Sequence, residues 1–202
     1  MDKPTKYEAP SWDYIYELCI QLADNIRKSG FKPDLLVGIC RGGWVPARLL
    51  SDFLENYNVA SVKVEFYLGI YQTKTKPTIV QPISADVRGK KVLLVDDVAD
   101  SGESLKLVKD YLLAQGAEDV KICTIYFKPW SIVVPDFYVR ETDAWICFPH
   151  EIYEAMKKLY ASMKGEGKSD EEIEKEFIKI GLKPLLVKKF LSDIIRDEEK
   201  KG

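Results

Sequence analysis

Four apolar residues running straight into a cluster of carboxylates restrict this chain more than any other feature. Val92-Leu93-Leu94-Val95 is long enough for a strand buried on both faces, and Asp96, Asp97 and Asp100 follow within five residues. Ser101-Gly102-Glu103-Ser104 then turns the chain, and Leu105, Val108, Leu112 and Leu113 recur near helical spacing. Strand, acidic edge, small-residue turn and helix predict an open α/β sheet, in which ligands bind beyond the carboxyl ends of the strands, beside helix N-termini. Capping a helix accounts for one acid, not three. The turn from Ala99 to Ser104 suits a phosphate, and Asp96 with Asp97 suits hydroxyls or a metal. A phosphate beside a diol is a ribose phosphate.

Around this segment the apolar pattern predicts further elements. A helix is expected over 11–30, with Ser11 as N-cap and Ser29-Gly30 as its stop. A buried strand follows over Leu35–Ile39, then Cys40-Arg41-Gly42-Gly43 and a helix over Val45–Leu54. Two glycines let backbone N–H groups approach an anion, and Arg41 adds a fixed positive charge. Ser61–Ile70 alternates as a strand, and Gly69–Gln81 is polar and basic, with Tyr71, Lys74, Lys76 and Pro77. A helix over Ser104–Gln115 and a strand over Val120–Phe127 lead to Lys128-Pro129-Trp130.

The segment Val92–Ser104 resembles the phosphoribosyl-pyrophosphate (PRPP) motif of type I phosphoribosyltransferases: four apolar residues, two acids, two apolar positions, then Asp-Ser/Thr-Gly-x-Ser/Thr. Every position fits. The resemblance implies an α/β fold: an open, mostly parallel sheet flanked by helices, with a small hood. It implies that Asp96 and Asp97 hold the ribose hydroxyls and Mg²⁺, directly or through water. Ala99, Asp100, Ser101, Gly102, Glu103 and Ser104 would cradle the 5′-phosphate. Cys40, Arg41, Gly42 and Gly43 match the pyrophosphate loop, where members often hold a non-proline cis peptide; the equivalent bond is Cys40–Arg41. Tyr71, Lys74 and Lys76 fall where the family has a mobile loop that closes over PRPP. Asp100 has the place of a general base facing N7 of the purine.

Lys128, Trp145 and Ile146 match the base-binding positions of the purine branch, which includes archaeal adenine and 6-oxopurine enzymes. There a lysine meets the exocyclic oxygen, an aromatic ring stacks on the base, and backbone groups read its edge. The implied reaction joins a purine base to the phosphoribosyl group of PRPP, giving a nucleoside monophosphate and pyrophosphate. Lys128 favours an oxygen at position 6, hence hypoxanthine, guanine or xanthine. Two departures oppose it: Cys147 stands where some relatives carry an acid, and His150-Glu151 replaces a frequent Trp-Asp pair. With the C-terminal extension, which adenine-using archaeal relatives share, they tip the expectation to adenine and AMP, with a 6-oxopurine as the alternative. A non-catalytic PRPP or nucleotide sensor is a further alternative.

From Glu151 the composition changes. Helices are expected over Ile152–Met163, from a capping box at Ser169-Asp170-Glu171-Glu172 to about Ile180, and over Leu185–Asp197. The organisation expected is therefore a core and hood over 1–150 and a helical extension over 151–202. Thirty Lys and Arg against 32 Asp and Glu give no basic footprint for nucleic acid, and no apolar run approaches membrane-spanning length. Met1–Ser11 lacks a secretory signal's pattern, so a cytoplasmic protein is expected. Four scattered cysteines and one histidine make a zinc site improbable. The family resemblance implies a homodimer or homotetramer.

Overall fold

A computed structural model describes residues 6–68 and 75–200. The chain divides into two compact units, Asp13–Asp143 and a second made of Met1–Trp12 with Ala144–Gly202.

The first unit is built on a six-stranded sheet. Its strands are β2 (Leu35–Cys40), β3 (Val59–Leu68), β4 (Thr75–Gln81), β5 (Lys91–Ala99), β6 (Asp119–Phe127) and β7 (Arg140–Glu141). They lie in the order β4-β3-β2-β5-β6-β7, all parallel except β4, which pairs antiparallel with β3. The sheet is thus open and mostly parallel, with the helices α1 (Trp12–Lys28), α2 (Trp44–Phe53) and α3 (Glu103–Ala114) against it.

Strand periodicity sorts the apolar residues between two faces. Leu35, Val37 and Ile39 of β2, Val92 and Leu94 of β5, and Val120 and Ile122 of β6 join Leu105, Val108 and Leu112 of α3 in one cluster. Leu36, Leu93, Val95 and Cys123 join Leu22, Ala23 and Ile26 of α1 and Ala47 and Leu50 of α2 in the other. Burial on both faces explains why β2 and β5 read as uninterrupted apolar runs.

The chain runs outward from β2 to β3 and β4, then returns to place β5 on the other side of β2 and continues to β6. The direction of winding therefore reverses between β2 and β5. At such a reversal the connections leave the strand ends on opposite sides, opening a crevice beyond their carboxyl ends.

Two stretches depart from expectation. The polar run before Gln81 is an edge strand from Thr75 onward, with Pro77 opposite Phe66 and Lys76 opposite Tyr67. An edge position tolerates Pro77 and the exposed Lys76 because one side of the strand faces no ladder partner. The second unit also reaches beyond the helical extension expected from residue 151. Its β1 (Tyr7–Glu8) pairs parallel with β8 (Trp145–Ile146). Its helices α4 (Ile152–Gly165), α5 (Asp170–Lys179) and α6 (Pro184–Glu199) enclose a core of their own. Met156, Tyr160, Ile173, Phe177, Val187 and Ile194 are buried in it, and Cys147, Tyr7 and Ala9 pack against the same cluster. The division at 150 follows composition; the packing boundary lies at Ala144 because β8 pairs with β1 and Cys147 is buried in that core. The capping box at Ser169 forms as expected: Ser169 Oγ accepts from the Glu172 N–H, and the Glu172 carboxylate accepts from the Ser169 N–H.

Among the described residues no helix is long and apolar enough to cross a membrane.

Candidate active site

Three loops leave the carboxyl ends of β2, β5 and β6, which are neighbours in the sheet. The β2 loop is Cys40-Arg41-Gly42-Gly43. The peptide between Cys40 and Arg41 is cis. Gly43 then begins the turn into α2, its N–H donating to Ile39 O and its carbonyl accepting from Ala47 N–H. Arg41 is exposed.

Both glycines are required by close approach to β5. A β-carbon on Gly42 would collide with the carboxylate of Asp97, and one on Gly43 would meet Asp96 Cα and Ile39 O at 2.8 Å. The β2 loop therefore lies directly against the acidic end of β5, at the winding reversal. Asp97 is 7 % exposed, and its N–H donates to the Asp96 carboxylate at 3.0 Å, which keeps the two acids together at the strand end.

Ala99 to Ser104 forms the second loop. Ala99 closes β5 in the core, Ser101 Oγ accepts from the Glu103 N–H at 3.3 Å, and Gly102 caps α3 with φ of 78°. That left-handed backbone suits glycine, and a side chain there would also come within 2.5 Å of Ser131 Oγ. Gly102 itself offers no side chain to cap α3, and Ser101 Oγ meets the first N–H of the helix instead.

The third loop, after β6, is stitched to the second residue by residue. The Lys128 N–H donates to Ala99 O and the Ile132 N–H to Ser101 O, both at 3.0 Å. Between them the Trp130 indole Nε1–H donates to Asp100 Oδ1 at 3.1 Å. Lys128 is 5 % exposed, and its ammonium lies 5.5 Å from the centre of the Trp130 ring.

The first unit thus gathers Cys40–Gly43, Asp96, Asp97, Ala99–Ser104 and Lys128 at the carboxyl ends of three neighbouring strands. Lys76 stands apart on β4, exposed; Tyr71 and Lys74 lie outside the described residues. Trp145 and Ile146 belong to the second unit, where β8 leaves the Trp145 side chain 42 % exposed and buries Ile146. Cys147 is fully buried, its thiol pushed up to about 11 by burial, then by the Glu151 charge. His150 stacks on Phe148 with ring centres 5.1 Å apart. Trp130 and Ser131 were not singled out from the sequence; their nearness to Lys128 in the chain was the only signal.

Comparison with known proteins gives four matches of note. A family model described as "Phosphoribosyl transferase domain" matches residues 11–155. A xanthine-guanine phosphoribosyltransferase of Cereibacter sphaeroides is 35 % identical over 152 residues, 70 % of this chain and 85 % of that protein. Another, from Gluconobacter oxydans, is 32 % identical over 145 residues, 71 % of this chain and 83 % of that protein. Among solved structures, a purine phosphoribosyltransferase from Pyrococcus horikoshii superposes with a TM-score of 0.66 at 36 % identity, covering 72 % of this chain and 94 % of that one.

Proposed function

The chain belongs to the phosphoribosyl transferase domain family, and on that premise we propose that it is a 6-oxopurine phosphoribosyltransferase of purine salvage. The reaction breaks the bond from C1′ of PRPP to its pyrophosphate and forms a bond from C1′ to a purine nitrogen. The observation that carries the base class is Lys128: a buried cation whose backbone is joined to Ala99, one residue from Asp100. An ammonium donates only, so it recognises an oxygen at position 6 and not an amine. The xanthine-guanine relatives support the same reading. The features that favoured adenine lose their weight. Cys147 is part of the second unit's core, and His150 is stacked on Phe148, so both are explained by packing rather than by the base.

Each loop then has a task. Arg41 and the N–H groups of Gly42 and Gly43 receive the pyrophosphate, and Ala99–Ser104 cradles the 5′-phosphate. Asp96 and Asp97 hold the ribose hydroxyls. Asp100 takes the proton released from the purine as the glycosidic bond forms. On the family pattern, Trp145 supplies the stacking ring and Ile146 the backbone groups that read the base edge, while Tyr71, Lys74 and Lys76 belong to the closing loop.

Among the described residues no three His, Cys, Asp or Glu side chains cluster to hold a metal. Magnesium does not need such a cage: it keeps several waters and takes one or two carboxylates with phosphate oxygens. Asp96 and Asp97, adjacent at the strand end, fit that role. When bound with PRPP, Mg²⁺ would offset the charge of the leaving pyrophosphate.

The test is turnover of purified protein with PRPP, Mg²⁺ and each of adenine, hypoxanthine, guanine and xanthine. The expected result is nucleotide from one or more 6-oxopurines, faster than from adenine. Adenine as the sole substrate would reject the base class. PRPP binding without nucleotide from any base would reject the enzyme in favour of a sensor. A homodimer or homotetramer is part of the proposal and is read by light scattering.

A further inference from the structure

We propose that Trp130 is a positioning residue for Asp100, coupling the residue that reads the purine to the residue that takes its proton. The inference rests on the reading of Asp100 and Lys128 given above. Three consecutive residues of the phosphate turn each accept a hydrogen bond from the loop after β6: Ala99 O from the Lys128 N–H, Asp100 Oδ1 from the Trp130 indole, and Ser101 O from the Ile132 N–H. Two of these bonds are backbone to backbone and fix the loops side by side. The third is the only one made by a side chain, and its acceptor is the carboxylate assigned to the chemistry.

Carboxylate oxygens have several acceptor positions. An exposed aspartate at a turn samples rotamers unless something holds it, and Asp100 is exposed. The indole N–H occupies Oδ1 and leaves Oδ2 for the purine. Because the indole only donates, it holds Oδ1 as an acceptor, and the purine's proton is left to Oδ2. Its ring face meanwhile lies 5.5 Å from the Lys128 ammonium, an attraction that ties the cation to the same side chain. A base whose oxygen engages Lys128 thus meets a carboxylate already aimed at its ring nitrogen, which is orientation supplied before the chemical step.

The experiment uses the full-length chain and Trp130→Phe, which keeps a ring beside Lys128 and removes only the N–H donor. Turnover is measured with PRPP and whichever purine the wild type uses, in the wild-type and Asp100→Asn backgrounds. The expected result is a fall in kcat of about tenfold in the wild-type background, with KM for PRPP within about twofold, the size of one charge-assisted hydrogen bond. In the Asp100→Asn background Trp130→Phe should cost no more than about twofold, because the carboxylate it serves is gone. Indole N–H proton resonances give an independent readout: the signal lost in Trp130→Phe should move upfield in Asp100→Asn.

Wild-type kcat in Trp130→Phe overturns the inference. So does an equal loss in both backgrounds, or a loss shared by kcat and PRPP binding with the indole signal unmoved by Asp100→Asn, since these mark a merely structural side chain. A wild type that makes no nucleotide from any purine refutes the functional reading, and this inference with it. An active wild type with an indifferent Trp130→Phe refutes this inference alone.

Discussion

Gly42 lies directly beneath the carboxylate of Asp97: a β-carbon there would sit 2.6 Å from Cγ and overlap Oδ2. Its neighbour Gly43 would press on backbone instead, against Asp96 Cα and Ile39 O. A carboxylate tip can rotate away, whereas strand backbone cannot yield without moving the sheet. Gly42→Ala should therefore keep the fold, with a stability change within about 1 kcal/mol, yet lower kcat/KM for PRPP at least about 100-fold by displacing Asp97. Gly43→Ala should cost about 1–3 kcal/mol of stability as an overpacked site. Thermal unfolding alongside PRPP kinetics separates the two; equal Tm losses would contradict the assignment.

Asp100→Asn keeps the shape of the side chain and its bond from Trp130 while removing the proton acceptor. The expected outcome is a fall in kcat of about 100-fold or more, within the range for loss of a general base. Binding of PRPP, measured by calorimetry, should be close to that of the wild type. Unchanged kcat would remove the proton-accepting role from Asp100.

Lys128→Gln replaces a buried cation by a neutral amide of similar reach. Hydrogen bonds to charged groups contribute about 1.5–3 kcal/mol, so kcat/KM for the preferred 6-oxopurine should fall about 10- to 100-fold. Adenine, whose amine gains nothing from an ammonium, should lose far less. The ratio of the two rates in one variant is the measurement, and a ratio equal to the wild type's would separate Lys128 from base recognition.

The buried thiols predict how the protein responds to alkali. Burial pushes Cys19 up to about 12 from an ordinary 9.0. Burial raises Cys123 strongly as well, with smaller contributions from Cys19 and Asp136, and Cys147 rises to about 11. A folded-state value above the unfolded one means that the neutral thiol is favoured by folding. The stability this contributes is fully present below about pH 9 and is lost progressively as pH rises toward 11–12. Tm should thus be flat through neutral pH and fall above it, with a shallower alkaline slope in Cys19→Ala. An identical slope in that variant would exclude Cys19 as a source. Below pH 8 a thiol reagent should modify Cys40, which is part-exposed in the β2 loop, well before the three buried cysteines, and PRPP should protect it.

Ser169→Ala removes one half of the capping box at the start of α5. The expected cost is about 1 kcal/mol, seen as a Tm lower by a few degrees with kcat unchanged. A loss of activity larger than the loss of folded protein would show that the helical unit reports to the chemistry.

What could be read in the amino-acid order follows from how locally each feature is encoded. Val92–Val95 and Leu35–Ile39 are buried on both faces, so their apolar runs announce central strands, and the acids after Val95 fall where such strands end. The cis bond at Cys40–Arg41 was foreseen from the family's loop pattern. Edge and long-range features were not legible. Thr75–Gln81 has only one paired side, so nothing in its Lys76 and Pro77 marks a strand until β3 is known to lie beside it. The pairing of Tyr7–Glu8 with Trp145–Ile146 joins two-residue strands, too short to carry a period and far apart in the chain. The bond from Trp130 to Asp100 depends on two loops being held side by side by Ala99 and Ser101 carbonyls, a relationship no spacing within either loop expresses.

The discontinuous second unit sets an order of assembly during synthesis. Residues 13–143 carry every strand of the large sheet and both of its apolar clusters, so that unit has all its parts before the last helices are made. Tyr7 and Ala9 are made before that unit, yet the cluster they join also needs Ile194, which is made after it. Tyr7 and Ala9 therefore wait through the making of the whole first unit before their packing partners exist, and α6 supplies the part of the second unit's core that is made after α4 and α5.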